Sequence, residues 1–122
     1  MFLDALRKDP NYNEEDIDCY IHVTTTIQVI GGRWKMLILW HLEEGPRRFN
    51  ELGRLIPGVS QKMLTQQLKE LEQDGVIERK VYPETPPRVE YVMTDYGKTL
   101  RSIFDTMYDW GVIHRKRQSG EL

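Results

Sequence analysis

Apolar side chains recur at spacings of three and four along most of this chain. The places where that rhythm stops divide it into short elements. Residues 23–30 make a first helical stretch, ended by Gly31-Gly32. A second begins near Arg33 and carries Trp34, Leu37, Ile38, His41 and Leu42 at helical spacing, until Gly45-Pro46 stops it. Arg47-Arg48 reads as a very short strand. Residues 50–56 predict a third helix, with Phe49, Leu52, Leu55 and Ile56 on one face. After the Pro57-Gly58 turn, Ser60 suits the N-cap of a fourth helix running through Gln73, and Gly75 suits the position beyond its end.

The period then changes. Residues 76–82 and 88–93 are rich in Val, Ile and Tyr and predict two strands. Pro83-Glu84-Thr85-Pro86-Pro87 between them is too rich in proline for a two-residue hairpin turn and predicts a stiff projecting tip. Thr94 or Asp95 caps a last helix, whose apolar positions Tyr96, Leu100, Ile103, Phe104, Met107, Trp110 and Gly111 recur over about five turns. Residues 1–18 are polar and acidic and read as a loosely ordered arm, with a short helix near residues 3–6. Residues 19–122 then make a single domain, mainly α with a small β-hairpin wing. Its order is that of a winged helix-turn-helix.

The fourth helix has two unlike sides. With Leu64 set at zero and about 100° added per residue, Leu68 and Leu71 fall within roughly 40° of it, so the leucines form one narrow stripe. Lys62, Gln66, Lys69 and Gln73 fall on the opposite side, with Thr65 on its flank. Such side chains reach base edges or phosphates when a helix lies in a DNA groove. The alternative is an ordinary solvated face. Charge order suits the groove without deciding between the two, and the basic hairpin that follows tips the balance. Lys62 is near the start and Glu70, Glu72 and Asp74 are near the end, the reverse of what stabilises an isolated helix. Gln73 lies late among the acids, so the candidate base-reading set is Ser60, Gln61, Lys62, Thr65, Gln66 and Lys69.

In the hairpin, Arg79, Lys80 and Arg88, with Thr85 at the tip, are candidates to reach the DNA backbone or minor groove. Glu84 and Glu90 offer Arg88 a partner inside the hairpin instead. Arg47 and Arg48, just ahead of the third helix, are placed for phosphate contacts or form a solvated pair.

Composition changes this picture little. The 122 residues are 39% hydrophobic and 30% charged, which fits one globular domain without a bilayer span or a signal peptide. The net charge of −2 is unevenly placed: residues 1–32 carry −4 and residues 33–122 carry +2. The total argues weakly against a nucleic-acid partner, but the acidity sits at the N-terminus and the rest is mildly basic. His22, His41, His114 and Cys19 share no ligand spacing, so neither a metal nor a cofactor is expected. No nucleophile–base constellation points to an enzyme. Cys19 is the single cysteine and predicts a reducing, cytoplasmic setting.

Several segments together resemble the HxlR-type regulators, winged-helix proteins related to MarR repressors. These are Gly31-Gly32-Arg33-Trp34-Lys35, Gly45-Pro46-Arg47-Arg48-Phe49, Ser60-Gln61-Lys62-Met63-Leu64-Thr65, Pro86-Pro87-Arg88-Val89-Glu90-Tyr91, and Thr94 with Gly97. The resemblance covers residues 23–110. It implies a homodimeric transcription factor, a repressor on double-stranded DNA, that dimerises through its first and last helices.

The residues support such an interface independently. Ile27, Tyr96, Leu100, Phe104, Met107, Tyr108 and Trp110 supply more apolar surface than one small core needs. A two-fold dimer implies a roughly palindromic operator. A winged-helix dimer serving as a protein–protein interaction module is the alternative. The resemblance also implies that an oxidant or small molecule is the signal, sensed by a cysteine ahead of the first helix. Cys19 departs from that pattern. It stands farther from Gly31-Gly32 and is followed by Tyr20 rather than proline. It is read either as a sensor or as an ordinary small residue. Asp16 and Asp18 nearby oppose thiolate formation.

Overall fold

The computed structural model describes residues 8–11 and 13–121. The short helix expected near residues 3–6 lies outside them. Helix α1 spans Glu14–Ile30, starting well ahead of the apolar period that begins at Val23. The cause is local. The Asn13 side chain accepts a hydrogen bond from the Asp16 N–H at 2.8 Å. Glu14, Glu15 and Asp16 then sit in the first turn, where the helix dipole favours acids. Residues 14–18 of the expected arm are therefore helical. Farther along, Thr24, Thr25 and Thr26 donate their hydroxyls to the carbonyls of Tyr20, Ile21 and His22 one turn back, which satisfies those hydroxyls within the helix.

Helices α2 (Lys35–Glu43), α3 (Phe49–Leu55) and α4 (Gln61–Gln73) follow close to their expected spans. Strands β1 (Ile77–Tyr82) and β2 (Arg88–Met93) pair antiparallel, with Ile77 opposite Met93 and Tyr82 opposite Arg88. A 3-10 turn at Gly97–Leu100 leads into α5 (Arg101–Gln118). Two short helices joined by a turn and followed by a hairpin make this a winged helix-turn-helix.

One core fixes how α4 and the wing face outward. Leu64, Leu68 and Leu71 of α4 meet Ile38, Leu39 and Leu42 of α2, Leu52 of α3 with the following Ile56, and Val76, Ile77 and Met93 at the base of the hairpin. Each such side chain contributes about 1.5–3 kcal/mol when fully buried. The end of α4 is closed by paired bonds. The Gly75 N–H donates to the Glu72 carbonyl at 3.0 Å and the Val76 N–H to the Leu71 carbonyl at 3.2 Å. Gly75 takes φ +75°, which the closing turn requires and which costs glycine little.

Thr94 then joins three elements. Its hydroxyl donates to the Gly75 carbonyl at 2.6 Å and accepts from the Gly97 N–H at 2.9 Å. Gly97 lies so close to Val76 that a Cβ there would come within 2.0 Å of the Val76 carbonyl oxygen. Thr94 thus supplies an acceptor to the 3-10 turn, while the last α-helix, expected to be capped by Thr94 or Asp95, starts at Arg101 after Leu100 without a side-chain cap. The short strand expected at Arg47-Arg48 is a single bridge. Arg47 and Tyr91 exchange backbone hydrogen bonds of 3.0 and 2.8 Å, which ties the front of α3 to the wing.

Candidate nucleic-acid interface

The leucine stripe of α4 is buried, so its opposite side faces out. Lys62, Thr65, Gln66 and Lys69 are exposed there, and Gln61 is exposed at the start of the helix. Ser60 caps the helix, its hydroxyl accepting from the Met63 N–H at 3.0 Å. The Thr65 hydroxyl donates to the Gln61 carbonyl at 2.8 Å and keeps its own oxygen available as an acceptor. Among the described residues, neither Lys62 nor Lys69 has an ion-pair partner. The structure therefore leaves all six proposed residues accessible, Lys62, Thr65, Gln66 and Lys69 along the outer side and Ser60 and Gln61 at the start of the helix.

Sequence reasoning overlooked two features around this helix. Asn50 and Arg54 of α3 line a surface cleft with Ser60 and Gln61 of α4, so α3 adds an exposed guanidinium beside the start of α4. Lys35 is the second. It is only 7% exposed, and its Nζ lies 2.7 Å from Oε2 of Glu70 on α4. The hydrogen bond from the Lys35 ammonium, and then its charge, hold the Glu70 carboxyl below the usual carboxylate range. Lys35 stands three, four and seven residues before Ile38, Leu39 and Leu42. A lysine on that apolar stripe was the available signal that it needs a buried partner.

The basic side chains of the wing divide into two groups. Arg79 and Lys80 are exposed on β1, and Thr85 is exposed in the loop between the strands. Arg88 is held inside the hairpin. Its Nη1 pairs with Glu90, its Nη2 lies 3.2 Å from Glu84, and its guanidinium sits 3.9 Å over the Tyr82 ring. Those carboxylates, Glu84 foremost, raise its pKa above the ordinary arginine value. Both internal partners read from the sequence are thus engaged.

Arg47 is similarly tied, 2.6 Å from Glu44 and 3.9 Å from Glu51. Arg48 is exposed, and its backbone N–H donates to Glu51 at 3.0 Å. Arg48, Arg79 and Lys80 are therefore the more available cations of this set.

The residues proposed for dimerisation also separate. Ile27 on α1 and Tyr96, Met107, Tyr108 and Trp110 are exposed, Met107 to 50% and Trp110 to 62%. Leu100 is half-buried against the core. Phe104 corrects the expectation of an exposed residue. It is 3% exposed and belongs to the protein's own core, because the helical period turns it inward one turn ahead of Met107 and Tyr108. Beside it, Met36, Leu37, Trp40, Met107 and Tyr108 line an apolar groove between α2 and α5. Cys19 is exposed and lies inside α1, beyond the first turn. Among the described residues no helix is long and apolar enough to cross a membrane, and no cluster of His, Cys, Asp and Glu could hold a metal.

Comparison with known proteins identifies the frame. The model of the HxlR-like helix-turn-helix family matches residues 29–119. The HTH-type transcriptional regulator YtcD of Bacillus subtilis strain 168 is 52% identical over 101 residues, covering 83% of this chain and 80% of YtcD. Among solved structures, the redox regulator HypR in its reduced form is 45% identical. It superposes with a TM-score of 0.75 over 80% of this chain and 97% of HypR. The reduced transcriptional regulator YodB of B. subtilis, also 45% identical, superposes at 0.67 over 71% of this chain and 85% of YodB.

Proposed function

Since the chain belongs to the HxlR-like helix-turn-helix family, a family of transcriptional regulators rather than enzymes, we propose that it is a homodimeric, sequence-specific DNA-binding repressor. α4 is its recognition helix. The observation that carries this reading is the outward face of α4, where Lys62, Thr65, Gln66 and Lys69 stand exposed, with Gln61 exposed at the start of the helix behind the Ser60 cap. Side chains of these types read base edges and bind phosphate. The wing supports it, with Arg79 and Lys80 exposed on β1. Thr85 and Arg88 stay in the proposed wing contact, Arg88 on condition that DNA phosphate displaces Glu84.

The exposed apolar residues of α1 and α5 support a second copy of the chain as partner, since a monomer would leave that surface in water. In this proposal the partner is double-stranded DNA, the setting is the cytoplasm and no cofactor is required. A shift assay on the DNA upstream of its own gene tests the proposal. Affinity should fall steeply between 50 and 200 mM salt, as bound counterions are released, by about a thousandfold for six phosphate contacts. Binding absent at both salt concentrations would favour the interaction-module reading.

HypR is a redox regulator, and Cys19 gives this chain an exposed thiol to act in the same way. Oxidation by diamide would remove two electrons and two protons. It would join Cys19 to the partner subunit's Cys19 or to a small thiol, the diamide being reduced to the hydrazine. Diamide is expected to change operator affinity, and Cys19→Ser is expected to abolish the change. A response that persists in Cys19→Ser would remove Cys19 from sensing.

A further inference from the structure

An ammonium buried as deeply as that of Lys35 persists only when it is paired. Its partner, Glu70, is on the recognition helix, one turn beyond Gln66. One carboxylate oxygen of Glu70 takes Lys35 at 2.7 Å. The other accepts from Nε2 of Gln66 at 3.5 Å. Gln66 is among the exposed residues proposed to read bases, so a buried cation on α2 is linked through Glu70 to the surface of α4.

The chemistry of that link is directional. A carboxylate only accepts hydrogen bonds, whereas the two ends of a glutamine amide differ: the NH2 donates and the carbonyl accepts. The ammonium of Lys35 keeps Glu70 ionised. The NH2 of Gln66 must therefore turn toward Glu70, and its carbonyl oxygen must turn away. A free glutamine can present both groups to adenine at once. This one has one of its two N–H groups held by Glu70, which fixes the way its amide faces.

We infer that Glu70, anchored by Lys35, is a positioning residue that presents the Gln66 carbonyl oxygen to the major groove, where it accepts from an exocyclic base amine. Those amines are N6 of adenine and N4 of cytosine. Guanine and thymine offer acceptors there instead. This inference rests on the DNA-binding reading above.

Selection of binding sites from a randomised duplex library, using the full-length chain, tests it. The wild type should show one position in each half-site that prefers adenine or cytosine over guanine or thymine on the strand it faces. Glu70→Gln lets the Gln66 amide turn either way, and the preference at that position should fall about tenfold. The other positions and the salt slope should hold. Glu72→Gln removes the same charge from an exposed position on the same helix and should leave the wild-type profile.

Lys35→Met combined with Glu70→Gln removes the ammonium that would otherwise be buried alone. It should fold, and it should show the Glu70→Gln profile. A wild-type profile in Glu70→Gln and in the double variant would overturn the inference, as would an equal change in Glu72→Gln. A wild type that selects no site and shows no salt-dependent binding would instead overturn the DNA-binding reading beneath it.

Discussion

Replacing Lys62 and Lys69 together by glutamate is expected to lower operator affinity by at least about a hundredfold, with fold and oligomeric state unchanged. Both lysines are exposed on the side of α4 opposite its buried leucines, and neither is tied in an ion pair among the described residues. Their loss therefore costs the folded chain almost nothing. In the complex each replacement deletes a cation and sets a carboxylate against phosphate. Like charges brought together at an interface cost several kcal/mol, and each 1.4 kcal/mol is a factor of ten. The salt slope of whatever binding remains should be shallower by about two ions, near 0.9 for each lost phosphate contact. Circular dichroism and sedimentation of the variant separate this outcome from misfolding. Affinity within threefold of wild type would remove α4 from the interface.

The other large effect concerns the proposed dimer. Met107→Glu with Trp110→Glu places two charges on the apolar face of α5, at positions half or more exposed in the single chain. Neither side chain belongs to the core, so each protomer should fold. A dimer closed by that face should dissociate. Affinity for a palindromic operator should then drop by about 10²–10⁴, because binding the second half-site is no longer intramolecular. Affinity for an isolated half-site should hold. Phe104 serves as the contrast. It lies in the core, so Phe104→Ala should cost about 3–5 kcal/mol of stability before it affects assembly. A dimer that survives Met107→Glu with Trp110→Glu would place the interface elsewhere.

Much of this architecture was legible in the residues, and the exceptions have physical causes. α4 was plain because a serine cap, a leucine stripe and a terminal glycine all agree over Ser60–Gln73 and Gly75. The hairpin followed from the change of period and the proline-rich loop. The start of α1 was obscured by composition. Asn13 ahead of Glu14-Glu15-Asp16 is a helix-start signal, but the acidity read as a solvated arm. Periodicity showed that α5 has an apolar face without showing how that face divides between Phe104, turned inward, and Met107 and Trp110, turned outward. The Lys35–Glu70 pair joins two helices distant in sequence, and only the lysine's place on an apolar stripe hinted at it. At Arg88 the sequence offered Glu84, Glu90 or DNA. The folded hairpin brings both carboxylates to it: Glu90 shares its face of the strand, and Glu84 reaches it from the loop.

Methylation interference on the bound operator tests most directly whether α4 reads the major groove. Guanine N7 lies in that groove, so methylation there blocks a side chain that enters it. Two patches of interference are predicted, centred about 10 base pairs apart as two-fold related recognition helices require, and both should vanish when Lys62 and Lys69 are replaced. Strong binding with no interference at guanine N7 in either patch would contradict the account.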